Sequence, residues 1–314
     1  MNLLRFAVRR VAEMAATLLA ASFVVFGAMY LAPGNPASFL LTGRSASPEA
    51  VAAINAQYHL DDPFAVRYLR WLGDMAQGDF GRSLTYRTDV SRLIADRLPT
   101  TLLLIAMALT VVVTVGLLLG RIAAVRGGAT DTAVLISTTI AVGTPSFVAA
   151  VLLQGLFAVK LGWFPSSGAG DGFLDTLWHL TLPAVALALY LIGMLARVTR
   201  SAMLEALGAE HVTVARSRGV PERHVIRRHV MRNALGTVLT TGGLLVCTIL
   251  VETAFSIGGI GQLLELATST KDFPTVQAIS LIIVALFMTV NLIVDLLLPV
   301  VDPRITLGAR GASA

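Results

Sequence analysis

Charge is scarce along this chain, and where it is missing decides what the chain can fold into. Reading from one charged residue to the next gives six uncharged, mostly apolar runs: 14–43, 98–120, 132–159, 176–196, 233–251 and 273–294. Crossing a bilayer's hydrocarbon core takes about 20 apolar residues as a helix, and inside lipid every backbone polar group must be satisfied within the segment. The spacing therefore predicts an all-α integral membrane protein with six spans. Composition agrees: 14% of residues are charged and 55% hydrophobic, against roughly 25% charged in soluble domains.

The amino terminus, Met1 to Arg10, is short and basic ahead of an apolar run. That run is longer than the apolar core of a secretory signal and no convincing small-x-small cleavage site precedes Pro33, so a retained first helix is expected. Glu13, beside Arg9 and Arg10, reads as an interfacial ion pair. The single cysteine, Cys247, lies inside the fifth run; one thiol supports neither an internal disulfide nor a zinc cluster.

Orientation follows from where Lys and Arg fall in the short loops. With the amino terminus inside, the inner segments carry Arg5, Arg9, Arg10, Arg121, Arg126, eight arginines between the fourth and fifth runs, and Arg304 and Arg310. The short outer loops hold only Lys160 and Lys271. Both termini are thus expected in the cytoplasm. The chain divides into 1–32, the amino terminus and first span; 33–98, an outer segment; and 99–314, five further spans with a cytoplasmic loop at 197–235.

The outer segment carries helix-start signals at Ser47-Pro48-Glu49 and Asp62-Pro63, an apolar stripe of Val66, Leu69 and Leu72 beside Trp71, and a break at Gly78-Asp79-Phe80-Gly81. Val90, Leu93, Ile94 and Leu98 then make an amphipathic turn that runs into the second span. A folded cap and a docking platform for an external protein both fit this pattern.

The stretch HVTVARSRGVPERHVIRRHVMRN, residues 211–233, concentrates six arginines and three histidines. His224 and His229 lie five apart, about 140° around a helix, and no cysteine or carboxylate cluster completes a metal site. Valines and isoleucines interleave the arginines and no aromatic residue is there to stack a base, so nucleic acid is not expected as a partner. Apolar and small residues keep helical spacing from Ser201 to Arg218. Gly219 then stops the helix, and Pro221-Glu222 starts another. A helix, a glycine elbow and a second helix in the cytosol fit either the lipid headgroups or a partner's groove.

No phosphate-binding Gly-Lys-Ser/Thr is present, because neither lysine follows a glycine. The cluster Gly258-Gly259-Ile260-Gly261 lacks the dinucleotide fingerprint and is expected to turn the chain at the outer end of the fifth helix. Two carboxylates fall in the membrane zone, where one at a helix centre costs at least about 2.5–3.5 kcal/mol and so faces protein or water. Glu252 reads equally as a pathway residue or a structural one; for Asp295 the structural reading is preferred.

The motif ARSRG, followed ten residues later by HVMRNAL, resembles the cytoplasmic signature loop of ABC importer permeases. Thr213, Val214 and Ala215 fall in the Glu-Ala-Ala slots, Gly219 in the glycine slot, and His229 to Arg232 in the Ile-x-Leu-Pro slots. Thr213 and Arg232 depart from the general pattern. LAPGNPA, YHLDDPFAVRYLRWLGDMAQGDFGRSL, RLPTTLLL, FSIGGIGQLL and KDFPTVQA extend the resemblance over nearly the whole chain, to permeases of the dipeptide/oligopeptide/nickel type, with Gly258 where that family often has proline.

The resemblance implies a type I importer permease, a non-catalytic subunit of a bacterial cytoplasmic (inner) membrane that forms half of a translocation pathway for di- or oligopeptides. It would pair with a second homologous permease, two cytoplasmic ATPases (or one fused ATPase) that bind ATP and Mg, and an extracytoplasmic substrate-binding protein. Val212, Thr213, Val214, Ala215, Arg216, Arg218, Gly219 and His229 would be the ATPase-coupling residues. Import of nickel or another small solute is the alternative within the family. An ion-coupled secondary transporter would call for repeats with broken helices and matched intramembrane charges, and no convincing repeat is found.

Overall fold

The computed structural model describes residues 3–31, 62–208 and 244–301. Helices make up its regular structure: among the described residues there is no strand, only an isolated bridge between Arg82 and Asp89. In chain order the helices are α1 (Leu3–Leu31), α2 (Phe64–Ala76), α3 (Val90–Arg126), α4 (Gly128–Gly143), α5 (Ser146–Leu153) continuing as a π-helical segment Gln154–Lys160, α6 (Phe173–Gly208), α7 (Leu244–Phe255), α8 (Ile260–Ser269) and α9 (Phe273–Val301). Among the described residues, four stretches are long and apolar enough to cross a membrane: Val8–Ala28, Val90–Arg126, Phe173–Glu205 and Phe273–Ile293. Two bent pairs, α4 with the α5 segment and α7 with α8, raise the number to as many as six if each is one span.

Several local expectations are met. Glu13 accepts hydrogen bonds from Arg9 and Arg10, each at 2.8 Å. The break after α2 is carried by Gly78 and Gly81, at φ 82° and 74°, where an L side chain would be strained. The amphipathic turn beginning at Val90 is continuous with the second span, with Pro99 inside the helix. Gly258, at φ 77°, sits in the break between α7 and α8.

The described residues fall into two compact units, one drawn mainly from Thr100–Gln262 and the other from Val8–Pro99 with Leu263–Thr289. In the first, α6 is the centre: two-thirds (67%) of its apolar window is buried, against 22% for α3. It packs on α4, α5 and α7. Leu104, Ala108 and Val112, four apart along α3, join Leu180, Leu187, Leu191 and Leu195 of α6 and Val251 and Phe255 of α7 in one core.

Lipid tails are as apolar as leucine, so helices in a bilayer associate by close packing, and small residues allow it. Three glycines mark close crossings of α6 with its neighbours. A Cβ on Gly116 would fall 2.9–3.1 Å from Leu195, and one on Gly120 within 2.8 Å of Thr199 and the Ala196 carbonyl. On the other flank, a Cβ on Gly193 of α6 would meet Val142 at 2.6 Å and the Thr138 carbonyl at 2.8 Å. α6 is thus wedged between α3 and α4.

In the second unit α2 lies on α1 through aromatic rings. Phe26 meets Phe64, Tyr68 and Trp71 at centroid distances of 5.2–5.6 Å, and Phe23 meets Phe64 and Tyr68. The Tyr68 hydroxyl also shares a 2.8 Å hydrogen bond with Ser22. This corrects the expected stripe, since Val66 and Leu69 are exposed. The packed positions are 64, 68 and 71, the same helical period on another face, and their rings supply more contact area than the aliphatic set. Pro63 occupies the cap position of α2 and the Asp62 carboxylate takes a hydrogen bond from Arg70 at 2.9 Å.

Candidate functional site

Glu252, in the last turn of α7, is fully buried. One of its oxygens accepts the Thr101 hydroxyl at 2.6 Å; the other accepts the backbone N–H of Gly261 at 2.7 Å and of Gln262 at 3.2 Å. Thr101 in turn accepts the N–H of Ile260 at 2.9 Å. The first amides of a helix have no partner within it, and a carboxylate there also meets the positive end of the helix dipole. Here the carboxylate comes from the preceding helix. The glycines make the approach possible: a Cβ on Gly259 would collide with the Glu252 carboxyl, and one on Gly261 would stand 2.9 Å from it. Glu252, Thr101 and the glycine turn therefore form one closed bracket around the start of α8.

A second carboxylate bracket lies in the other unit. Asp272, buried between α8 and α9, accepts the Ser83 hydroxyl and the N–H groups of Leu84 and Thr85, the two amides at 3.1 and 3.3 Å. Ser83 Oγ also accepts the Tyr86 N–H at 2.9 Å, and Thr85 donates to Thr270 at 2.9 Å. Two of the motifs that carried the resemblance, GDFGRSL and KDFPTVQA, are thereby joined.

A third cluster spans α4 and α6. Arg200 donates to Asp131 through two nitrogens, at 2.5 and 2.6 Å, with both side chains part-buried. Arg197 reaches Thr139 at 2.8 Å. Fork-on-carboxylate geometry fixes orientation as well as distance. At 100° per residue, Gly193, Arg197 and Arg200 lie within about 60° of arc, so one face of α6 makes all three contacts to α4.

Of the residues singled out in the sequence, Val212, Thr213, Val214, Ala215, Arg216, Arg218, Gly219 and His229 lie outside the described residues. Asp295 falls within α9. Glu252 is held in the bracket at the start of α8. Thr101, Asp131, Arg200, Asp272 and the three packed glycines were not among the expected site residues. For some of them a signal is present: Gly116-Leu-Leu-Leu-Gly120 is a small-xxx-small pattern, and Asp131 opens an apolar run. No group of three or more His, Cys, Asp or Glu is placed to hold a metal ion among the described residues.

Long apolar helices packed through glycines, with carboxylates spent on bracing helix ends, define a multi-pass membrane component. Residues 116–307 match the family described as binding-protein-dependent transport system inner membrane component, and residues 3–105 match the N-terminal membrane component of such systems. The chain belongs to this family of inner-membrane ABC permeases, as the motifs implied. It is 40% identical over 307 residues to a protein of Brucella abortus (strain 2308) provisionally named a peptide transport system permease, covering 95% of this chain and 97% of that one. It is 36% identical to the di/tripeptide transport system permease protein DppB of Pseudomonas aeruginosa (strain UCBPP-PA14), covering 96% and 99% of the two chains. Identity to the oligopeptide transport system permease protein AppB of Bacillus subtilis (strain 168) is 34%, over 96% and 98%.

Proposed function

We propose that this chain is the permease subunit of an ATP-driven peptide importer. The observation that carries the reading is end-to-end similarity to permeases named for peptide, di/tripeptide and oligopeptide transport. In this reading each bent helix pair is one span, six spans cross the inner membrane, and both termini face the cytoplasm. The subunit forms half of the pathway beside a second homologous permease. An extracytoplasmic binding protein delivers the peptide, and two ATPase subunits, or one fused ATPase, bind ATP and Mg. The chain itself supplies no catalytic residue.

Val212 to Gly219, with His229, seat on an ATPase. The Gly219 elbow sets the angle between two short helices, Ala215 permits close approach, and Arg216 and Arg218 meet acidic groups of the ATPase. Closure of the ATPases then moves the spans as rigid bodies, a general means of switching access between two sides. Glu252 belongs to the frame rather than the pathway, since both its oxygens are occupied by the start of α8 and Thr101. For Asp295 the structural role expected from its place in the sequence is kept.

Affinity purification of the tagged chain from its native membrane tests the reading. A second permease and P-loop ATPases are expected to co-purify, and proteoliposomes holding that complex are expected to take up di- and oligopeptides only with ATP inside and binding protein outside. A lone chain that transports without ATP would overturn it in favour of a secondary transporter.

A further inference from the structure

We propose that the Arg200–Asp131 pair is a transmission clasp, which makes α4 and α6 move as one body when force enters at the carboxyl end of α6. The inference rests on the proposed coupling role of the segment after α6 and names the residues through which that role would reach the membrane helices.

Three observations place the clasp there. First, α6 runs unbroken from Phe173 to Gly208, so the helix that reaches the proposed coupling segment is also the helix at the centre of its unit. A continuous helix carries displacement along its axis with little loss. Second, Arg200 lies about two turns before the end of that helix, and its partner Asp131 lies in the first turn of α4. The pair therefore joins α6 to α4 near the point where force would enter, rather than at mid-membrane. Third, the contacts grade along one face. The paired charges stand at the Gly208 end, the Arg197–Thr139 hydrogen bond comes next, and the glycine contact of Gly193 with Val142 and Thr138 follows.

These contacts differ in what they resist. The glycine crossing resists separation but, having no directional side-chain bond of its own, tolerates sliding or rotation. The two-point fork of Arg200 on Asp131 resists both, because either motion breaks the alignment of its two hydrogen bonds. Such a joint is needed where a torque is passed between helices and is superfluous where helices need only stay packed. On α6's other flank, against α3, the corresponding contacts are Gly116 on Leu195 and Gly120 on Thr199 and Ala196; the Thr199 hydroxyl is buried with no hydrogen-bond partner among the described residues. That flank can slip; the α4 flank is pinned.

Arg200 and Asp131 are thus positioning residues, and the readout that separates this role from a merely structural one is uptake per ATP hydrolysed. The complete complex is reconstituted with its binding protein and supplied with a mixed di- and tripeptide pool. Asp131→Asn and Arg200→Lys keep size and remove the fork. Each is expected to lower peptide uptake per ATP by roughly 2- to 30-fold, the span of effects seen along coupling networks, while ATP hydrolysis without binding protein stays at the wild-type rate. The charge-swapped chain carrying Asp131→Arg with Arg200→Asp is expected to recover part of the ratio. Unchanged uptake per ATP in both single variants would overturn the proposal. So would loss of complex assembly in both with no recovery in the swapped chain, which would assign the pair to folding. Should the wild-type complex import no peptide, the functional reading fails by itself. Stimulation of ATP hydrolysis by the binding protein then replaces uptake as the measured ratio: a fall in both single variants supports the clasp, and no change overturns it.

Discussion

Thr101 and Glu252, 151 positions apart, share a 2.6 Å hydrogen bond inside a buried bracket, and Thr101 simultaneously accepts the N–H of Ile260. Thr101 therefore relays the end of α7 to the start of α8, and the two side chains cannot be exchanged independently. Glu252→Ala leaves the Thr101 hydroxyl and the Gly261 and Gln262 amides without these bonds. Each buried group left unpaired costs about 1–3 kcal/mol. A large drop in the thermal midpoint of the purified complex in detergent is expected, with Glu252→Gln falling less because an amide oxygen still accepts. If Glu252→Ala melts with the wild type, the bracket is not bearing on stability.

Close packing at Gly120 leads to a second expectation. Its Cβ would collide with Thr199 and the Ala196 carbonyl, whereas at Gly143 nothing lies within 4 Å. Gly120→Leu is expected to cost at least about 1–3 kcal/mol, as overpacking does, and to reduce the amount of folded chain recovered from membranes. Gly143→Leu serves as the matched control and is expected to be recovered at wild-type levels. Fluorescence-detected size exclusion measures both; equal recovery of the two would refute the close crossing.

How much of this could be read in advance depended on whether the signal was local. Where charge stops and starts is local, so the apolar runs, the turn at Gly258 and the Glu13 pair were visible in sequence. The face of α2 was legible in period but not in identity, because Val66-Leu69-Leu72 and Phe64-Tyr68-Trp71 both keep helical spacing and only the partner helix chooses between them. The brackets were not legible at all. Ser83 and Asp272 are 189 positions apart, and nothing in either neighbourhood announces the other. Arg200 was hidden for a different reason: its charge already had an explanation as a marker of the cytoplasmic side, and that explanation is silent on what the guanidinium touches.

The bracket at Asp272 bears on the segment 33–98, expected from sequence to lie outside, whose pattern fits both a cap and a docking platform. Asp272 holds the loop 83–85 through a hydroxyl and two amides, so Asp272→Ala frees that loop. If the loop belongs to the surface that receives the binding protein, the half-saturating concentration of binding protein for ATPase stimulation rises and the plateau is kept. Ser83→Ala, which removes one of the three contacts, is expected to shift it in the same direction by less. A lowered plateau at unchanged half-saturation would show that the loop acts on turnover and not on docking.

Gly219 supplies the most direct test of coupling. An elbow between two helices is commonly closed by a residue in the left-handed region, which glycine enters freely and proline cannot, since its ring fixes φ near about −65°. Gly219→Pro is therefore expected to abolish peptide uptake while the chain still inserts in the membrane, because the substitution falls between apolar runs and leaves every one of them intact. Insertion is read by protease protection in membrane vesicles and uptake in proteoliposomes. Normal ATP-driven uptake by Gly219→Pro would remove the elbow from the mechanism. A chain that inserts, assembles with its partners and hydrolyses ATP without import would place the defect in the proposed coupling segment.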